Sequence, residues 1–272
     1  MTEDIHILRF GYHNRANLMP LLYPLEAGWV APESPWKLEI VNDTPSNLQD
    51  ALLDGRLDVA FVTPAAAQLH GSKIAPLGGW GLAAAGAAET ALFLAPQRID
   101  LIDGSDAAIL PEAVSSSAEH ILRTILSPYY DIKLNLHAPH DEGYDPKGAR
   151  LLYSDNAARQ AAANPKGWVA DDMGVAWYVL TGLPMVWELL CAHRDLQTRK
   201  PGAPEAIQAL MRLSQRSARE QQSTVLQEAS SRLNLPQARV KELFARQSYT
   251  LATEEQKGLA HFLDMAARAK TI

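Results

Sequence analysis

Short apolar runs alternate with amphipathic segments through the first third of the chain. The apolar runs are predicted to be strands, at residues 5–11, 37–41, 59–63 and 91–95. The segments between the first three runs and after them have helical spacing, at about residues 18–27, 46–53 and 65–70. Strands that alternate with helices in this way predict an α/β protein with a mostly parallel sheet.

A second group of strands is predicted after the polar stretch at residues 97–106. These strands are expected at residues 107–110, 132–136, 151–153 and 168–170. Ser116-x-x-Glu119 has the spacing of a capping box, in which both side chains bind free amides at a helix start, so a helix is predicted there. Thr181-Gly182-Leu183-Pro184 then breaks the chain, and residues 185–192 are predicted to form a buried strand that returns to the first group.

This order of segments predicts two lobes with a ligand cleft between them. Lobe 1 is expected to comprise residues 1–95 and 185–272, and lobe 2 residues 96–184. Beyond Pro201 the pattern is helical, at residues 204–226 and 236–244 and again from a second capping box, Thr253-x-x-Gln256. We expect these C-terminal helices to pack on lobe 1 or against another subunit in a homodimer.

Composition places the chain among globular proteins and excludes several classes of partner. It has 272 residues, of which 47% are apolar and 21% charged, enough for a sizeable core. The net charge of −6 argues against nucleic acid or an anionic membrane surface as partner, although local backbone amides could still bind a small anion. No stretch is long and apolar enough to cross a bilayer, and the acidic start lacks a signal-peptide pattern, so we expect a cytoplasmic protein.

No motif predicts a metal centre, a nucleotide cofactor or a covalent catalyst. No glycine-rich phosphate loop follows a strand, and no serine lies in a nucleophile elbow. Cys191 is the only cysteine and lies in an apolar run, which favours a packed side chain over a nucleophile.

Polar residues follow several of the predicted strands, where open α/β sheets bind their ligands. Strand 59–63 ends in Thr63, and strand 5–11 leads into a loop that contains Arg15 and Asn17. Arg15 could pair with a ligand carboxylate, and Asn17 could either bind an oxygen of the ligand or cap the next helix.

Two further segments could line the same cleft. Ser115-Ser116-Ser117 opens a helix, whose free amides and hydroxyls can hold an anion, although capping alone would explain Ser116. Ser154-Asp155-Asn156 follows strand 151–153, so Asp155 could be a helix cap or a cleft residue.

Taken in order, these segments resemble the chorismate dehydratase family of the futalosine route to menaquinone. The match to the family pattern Asp-Leu-Gly-x-x-Trp followed by Thr-Gly-Leu-Pro is the most specific. The segments that carry the resemblance are Asn17-Leu18-Met19-Pro20-Leu21, Pro45-Ser46-Asn47-Leu48, Gly55-Arg56-Leu57-Asp58-Val59-Ala60, Ser115-Ser116-Ser117, Ser154-Asp155-Asn156-Ala157, Asp172-Met173-Gly174-Val175-Ala176-Trp177 and Thr181-Gly182-Leu183-Pro184. The chain departs from the family where Tyr-Leu becomes Arg15-Ala16 and where a serine becomes Thr90.

The resemblance implies a fold and a reaction. The fold is α/β, a two-lobed periplasmic-binding-protein-like (type II) fold with a helical C-terminal extension. The reaction removes water from chorismate to give 3-[(1-carboxyvinyl)oxy]benzoate, and it needs neither a metal nor a redox cofactor. In that reaction Asn17 is the expected catalytic residue. The expected substrate-binding residues are Arg15, Thr63, Thr90, Ser116, Ser117, Asp155 and Asn156.

No histidine or glutamate matches a base in the family pattern, so the enolpyruvyl carboxylate of the substrate is the expected proton acceptor. Two other functions stay open at this point. One is the dihydroxynaphthoate synthase of the same pathway, although its relatives open with a Ser-Pro-Asp-type motif. The other is a non-catalytic protein that binds a small anion, because a fold does not determine a function.

Overall fold

The computed structural model describes residues 5–270, apart from the side chains of residues 127 and 128. The acidic start of the chain, at residues 1–4, lies outside this range. The strands in the described range are β1 (His6–Tyr12), β2 (Trp36–Asn42), β3 (Val59–Val62), β4 (Ile74–Ala84), β5 (Ala91–Ala95), β6 (Asp106–Ile109), β7 (Asn135–His137), β8 (Arg150–Tyr153), β9 (Val169–Asp172), β10 (Met185–His193) and β11 (Gln247–Thr250). The α-helices are α1 (Met19–Glu26), α2 (Pro45–Leu53), α3 (Pro64–Leu69), α4 (Ser117–Ile125), α5 (Ser154–Ala163), α6 (Met173–Thr181), α7 (Leu196–Arg199), α8 (Ala203–Glu220), α9 (Gln222–Leu233), α10 (Gln237–Ala245) and α11 (Thr253–Arg268).

The strands form two mixed sheets. The six-stranded sheet has the order β11-β4-β10-β3-β1-β2, and the five-stranded sheet has the order β7-β6-β8-β5-β9. In the first sheet β1 is parallel to β2 and β3, whereas β10 is antiparallel to both of its neighbours. The prediction of a mostly parallel sheet is therefore wrong. It failed because β10 brings the chain back from the second sheet and runs against β3 and β4.

The chain passes from the first sheet to the second between Ala84 and Ala91. Strand β5 pairs with β8 and β9 in the second sheet, although the predicted division after residue 95 assigns it to lobe 1. Below, the first lobe denotes the six-stranded sheet with its helices, and the second lobe denotes the five-stranded sheet with its helices.

Several elements differ from the sequence prediction for local reasons. Strand β4 was not predicted because Pro76, Gly78, Gly79 and Gly81 interrupt its pattern, yet it pairs with β10 and β11. The predicted strand at residues 132–136 is β7, which begins later, at Asn135. The helix predicted at residues 204–226 is divided at residue 221 into α8 and α9.

Both predicted capping boxes are shifted by one residue. The Glu119 carboxylate accepts from the amide of Ser115 rather than of Ser116, at 2.8 Å. The last helix is capped through Glu255, which accepts from the amide of Ala252 at 3.0 Å, rather than through Gln256. The helix starts themselves lie where the sequence placed them, to within a residue.

The C-terminal helices pack on the first lobe. Helix α8 lies against α1 and β4, and the Ser214 hydroxyl donates to the Leu21 carbonyl at 2.6 Å. Helix α11 packs on β10 through Gly258, where a Cβ atom would overlap the Pro184 carbonyl. The sequence analysis expected these helices to pack either on lobe 1 or against another subunit. Within the single chain, they pack on lobe 1.

Candidate functional site

Buried polar side chains from both lobes meet along the boundary between the two sheets. Several of their polar atoms have no hydrogen-bond partner among residues 5–270, which is uncommon inside a folded protein. These atoms belong to Tyr12, Arg15, Asn17, Thr90, Tyr153 and Glu188, among others. Unpartnered buried donors and acceptors cost about 1–3 kcal/mol each, so such a concentration marks a candidate binding site.

Arg15 lies at the centre of this site and is held by both lobes. Its side chain is 1% exposed and forms an ion pair with Glu188, whose side chain is 5% exposed. The guanidinium also lies 5.1 Å from the ring centre of Tyr153 in the second lobe, a cation–π contact. Its Nε and Nη1 atoms have no hydrogen-bond partner in the described residues, so they can bind an anion.

Two small pockets are lined by neighbours of Arg15: one by its ion-pair partner Glu188, the other by Ala16 and Asn17, which follow it in the chain. The Glu188 pocket has a volume of about 90 Å³ and is lined by Pro45, Ser46, Gln49, Phe61, Val62, Thr63, Ser115 and Glu188. The Asn17 pocket has a volume of about 20 Å³ and is lined by Ala16, Asn17, Ala88, Glu89, Ser154, Asp155, Ala158, Leu233, Leu243, Phe244 and Gln247. The first lies where α2 and α3 begin, and the second lies beneath the C-terminal helices.

Asn17 does not cap a helix. It belongs to a 3₁₀ turn, Ala16–Leu18, and Leu18 is the N-cap residue of α1 without a side-chain hydrogen bond. The Asn17 Oδ1 atom is buried without a partner in the described residues. Its backbone carbonyl accepts from the Tyr249 hydroxyl at 2.9 Å, which anchors the residue from β11. Of the two interpretations offered by the sequence, a cap is therefore excluded.

The hydroxyls of Ser116 and Ser117 are engaged by the backbone. Ser116 donates to the Ala113 carbonyl at 2.7 Å and accepts from the Ala118 amide at 3.1 Å, as an N-cap does. Ser117 donates to the Trp187 carbonyl at 2.5 Å and thereby joins α4 to β10. The member of the triplet that lines the Glu188 pocket is Ser115, which the sequence analysis did not single out.

The hydroxyls of Thr63 and Thr90 differ in whether another group of the chain already binds them. The Thr63 hydroxyl caps α3 by accepting from the Ala66 amide at 3.1 Å, and the residue lines the Glu188 pocket. Thr90 is 2% exposed, and its hydroxyl has no hydrogen-bond partner in the described range. The Thr90 carbonyl accepts from the Ser154 amide at 2.7 Å, which places it next to the Asn17 pocket.

Asp155 joins the two lobes, whereas Asn156 lies outside the site. One Asp155 oxygen accepts from the Ala16 amide at 2.9 Å, and the other pairs with Arg232 Nε at 2.6 Å. Asn156 is exposed, and its side-chain amide donates to Glu112 at 2.9 Å. Asp155 lines the Asn17 pocket, but both of its oxygens are already bound.

Three arginines of the C-terminal extension contact the start of α5 and the segment between Ala84 and Ala91. Arg232 pairs with Asp155, Arg239 pairs with Glu89, and Arg246 donates to the Ala87 carbonyl at 3.1 Å. The extension thus covers the Asn17 pocket, a role that the sequence pattern did not indicate.

Asp172, at the start of the Asp172–Pro184 segment, connects the start of α6 with the segment between Ala84 and Ala91. One oxygen caps α6 by accepting from Gly174 at 2.7 Å and Val175 at 3.1 Å. The other accepts from the Glu89 amide at 2.8 Å. Removal of this carboxyl from water raises its pKa to about 6, although the three amides oppose the shift.

The raised pKa of Asp172 predicts a pH-dependent contribution to stability. A carboxyl whose pKa rises on folding binds its proton more tightly in the folded state, so its contribution is greatest below pH 3.8 and is lost as the pH rises to about 6. The loss should be at most about 3 kcal/mol. The unfolding free energy of the wild type minus that of Asp172→Asn, both measured in urea, should fall as the pH rises from 3.8 to about 6. A constant difference, or an NMR titration of Asp172 near its ordinary value, would contradict the prediction.

Sequence reasoning missed the acid of the site. Glu188 lies in an apolar run whose other members were interpreted as core, and the run was examined for Cys191 instead. A charged residue inside a buried strand was the signal that could have found it. Cys191 is fully buried, and burial raises the pKa of its thiol to about 12, which confirms the prediction of a packed side chain.

Comparison with known proteins identifies both the family and the fold. The model of a family described as "Menaquinone biosynthesis" matches residues 8–268. The crystal structure of protein AF1704 from Archaeoglobus fulgidus is similar with a TM-score of 0.78 and 19% identity, over 98% of this chain and 99% of that one.

Two further structures show the same architecture. The CA3427 gene product of Candida albicans, described as having the generic periplasmic binding protein fold, has a TM-score of 0.67 and 11% identity over 98% of this chain and 95% of its own. The alkanesulfonate-binding protein SsuA from Xanthomonas axonopodis pv. citri, bound to MOPS, has a TM-score of 0.67 and 15% identity over 99% and 95%. The predicted periplasmic-binding-protein-like fold is confirmed. Within residues 5–270, no helix is both long enough and apolar enough to span a bilayer.

Proposed function

Because this chain belongs to the menaquinone biosynthesis family, we propose that it is a chorismate dehydratase, a carbon–oxygen lyase that works without a cofactor. It would remove water from chorismate to give 3-[(1-carboxyvinyl)oxy]benzoate, in the futalosine route and in the cytoplasm. The observation that carries the proposal is Arg15, a buried cation between the lobes that has unpartnered nitrogens beside Asn17.

Chorismate carries two carboxylates, so its binding requires cationic or amide partners in a dry site. The free Nη1 atom of Arg15 is suited to bind one carboxylate in a charge-assisted hydrogen bond. The N-terminus of α4, beside Ser115, is suited to the other, because the positive end of the helix dipole attracts anions. The attraction would act through the dipole, since the amides of Ser115, Ser116 and Ala118 already have partners within the chain. Thr63 lines the Glu188 pocket together with Ser115.

The Ser116 and Ser117 hydroxyls support this arrangement indirectly. Each is bonded to a backbone carbonyl, so they hold the start of α4 in place against Trp187. Asp155 has a comparable role, since it fixes the Ala16 amide and therefore the position of Asn17.

The Asn17 carboxamide and the Thr90 hydroxyl supply neutral polar contacts. An amide is scarcely basic, so Asn17 would orient the enolpyruvyl group or the departing hydroxyl rather than take a proton. Thr90 offers a donor on the side of the second lobe. Formation of an aromatic ring drives the elimination. The protein contributes by holding a reactive conformer and excluding water.

The proposal is tested by incubating purified protein with chorismate and following the product by chromatography and mass spectrometry. We expect an aromatic product that retains the enolpyruvyl group and forms only in the presence of the protein. Binding of chorismate without turnover would instead indicate a small-anion binding protein. Turnover of a futalosine derivative in its place would indicate the dihydroxynaphthoate synthase.

A further inference from the structure

We propose that a second pocket, formed by the C-terminal extension, binds a small aromatic carboxylate and regulates the site around Asn17. The effect on turnover rests on the proposed function, whereas the binding does not. This pocket, called the Arg219 pocket below, has a volume of about 270 Å³, and a cavity of about 150 Å³ is enough to hold benzene. It is formed mainly by α8, α9, α10 and β11, and the residues that matter for the proposal are Arg219, Val225, Leu226, Lys241, Phe244 and Gln247.

The charge of the Arg219 pocket favours an anion. Arg219 in the last turn of α8 and Lys241 in α10 supply two positive charges, and none of the described residues that line the pocket is an acid. Neither of these two side chains has an ion pair or a hydrogen bond within residues 5–270. Two free cations in a chain with a net charge of −6 are a local exception, and they can both make charge-assisted contacts with a carboxylate.

The inner surface of the Arg219 pocket is apolar. Val225 and Leu226 are buried, and the ring of Phe244 is half-buried beside them. The ring of Tyr249, which is 9% exposed, also lines the pocket. Exposed cations above buried apolar side chains are typical of a site for a ligand with one charged end and an apolar body. Two aromatic rings in the wall favour a ligand that is itself aromatic.

Gln247 and Tyr249 connect this pocket with Asn17. Gln247 lines both the Arg219 pocket and the Asn17 pocket. The Tyr249 hydroxyl lies 2.9 Å from the Asn17 carbonyl oxygen and 2.8 Å from Gln247 Oε1. Because a hydroxyl has one proton, it can donate to only one of these acceptors at a time. The hydrogen bond that anchors Asn17 therefore has a competing acceptor in the wall of the Arg219 pocket.

A bound carboxylate would change the outcome of this competition. When it accepts a hydrogen bond from the side-chain amide of Gln247, the Gln247 oxygen is fixed toward Tyr249. The Tyr249 hydroxyl then donates to Gln247, and the Asn17 carbonyl loses its donor. Turnover should fall, because a small displacement of a group that orients the substrate is costly.

Binding is tested by calorimetry with benzoate as the probe. Benzamide has the shape of benzoate without its charge, and acetate lacks the ring, so each should bind at least about tenfold more weakly. The double variant Arg219→Gln/Lys241→Gln should weaken benzoate binding by about tenfold or more, since both cationic contacts are lost. Lys166→Gln/Arg212→Gln removes the same charge from exposed positions outside both pockets and should bind benzoate as the wild type does.

Regulation is tested by turnover and by hydrogen exchange. At saturating benzoate the wild-type kcat should fall by about fivefold or more, with little change in KM for chorismate, because benzoate does not occupy the substrate site. Amide exchange in the Ala16–Leu18 turn should become faster, and this measurement needs no substrate. Tyr249→Phe should bind benzoate within about threefold of the wild type, yet benzoate should alter neither kcat nor exchange, because the proton that links the two pockets is gone.

Four results would overturn the proposal. Equal benzoate binding by the wild type and Arg219→Gln/Lys241→Gln, or no binding by either, would remove the site. Inhibition that is competitive with chorismate would place benzoate in the substrate site instead. Binding without an effect on turnover or exchange would remove the regulation, and an equal effect in Tyr249→Phe would remove the link through Tyr249. If the wild type does not convert chorismate, the proposed function fails, whereas calorimetry and hydrogen exchange still decide on the site and its link to Asn17.

Discussion

Asn17→Ala is expected to lower kcat for chorismate by about 10²–10³-fold while the melting temperature changes little. The side-chain oxygen of Asn17 has no partner in the described residues, so its removal breaks no internal hydrogen bond. The backbone of the residue stays anchored through its carbonyl to Tyr249. Chorismate turnover and thermal unfolding, measured on the same preparation, separate the two effects.

Asn135→Ala is the matched control. Asn135 is exposed on β7, and its side-chain amide donates to the Gly104 carbonyl at 3.3 Å, remote from both pockets. It should turn over chorismate at the wild-type rate. Wild-type turnover by Asn17→Ala would remove Asn17 from the reaction. A fall in melting temperature that accounts for the lost activity would mean that the side chain supports the fold instead.

Arg15→Met should produce the largest change in stability. It leaves Glu188 as an unpaired buried charge, and breaking one side of a buried ion pair costs about 3–5 kcal/mol. Turnover should be lost as well, because the cation that would bind a substrate carboxylate is gone. The free energy of unfolding in urea measures the first effect, and the chorismate assay measures the second.

The double variant Arg15→Met/Glu188→Leu separates the contribution of this ion pair to stability from its contribution to turnover. Apolar residues of similar size often replace a buried ion pair without loss of stability. The double variant should therefore recover most of the stability that Arg15→Met loses, yet remain inactive. If Arg15→Met unfolds with wild-type free energy, the pair is not buried as described. If the double variant is active, neither residue takes part in the reaction.

The C-terminal extension has a clearer role than its sequence suggested. Arg239 and Arg246 approach Glu89, which adjoins Thr90, and Arg232 binds Asp155. Helices α9 and α10 also supply Leu233, Leu243 and Phe244 to the wall of the Asn17 pocket. A helical segment that appeared to be a simple addition to lobe 1 therefore completes the site.

Local sequence signals predicted the elements and many of their limits. Apolar runs bounded by turns indicated β1, β2, β3 and β10, because strand and helix periodicity depend on neighbouring residues alone. Strand β4 escaped because glycine and proline in a strand look like a turn, and only its pairing with β10 and β11 stabilises it. The division of the C-terminal helix at Gln221 was equally hidden, since the apolar pattern continues through it.

The features of the candidate site also divide into those that the sequence determined and those that only the tertiary structure decided. The sequence by itself determined the two groups of strands, the Asp172–Pro184 segment in which the family resemblance is most specific, and the loop that carries Arg15 and Asn17. Only the tertiary structure decided that Glu188 faces Arg15, that Ser115 rather than Ser116 lines the pocket, and that Asp155 binds Arg232. The physical reason is that these contacts join residues far apart in the chain. Their approach depends on the antiparallel insertion of β10 between β3 and β4 and on the packing of the C-terminal helices, and local periodicity specifies neither.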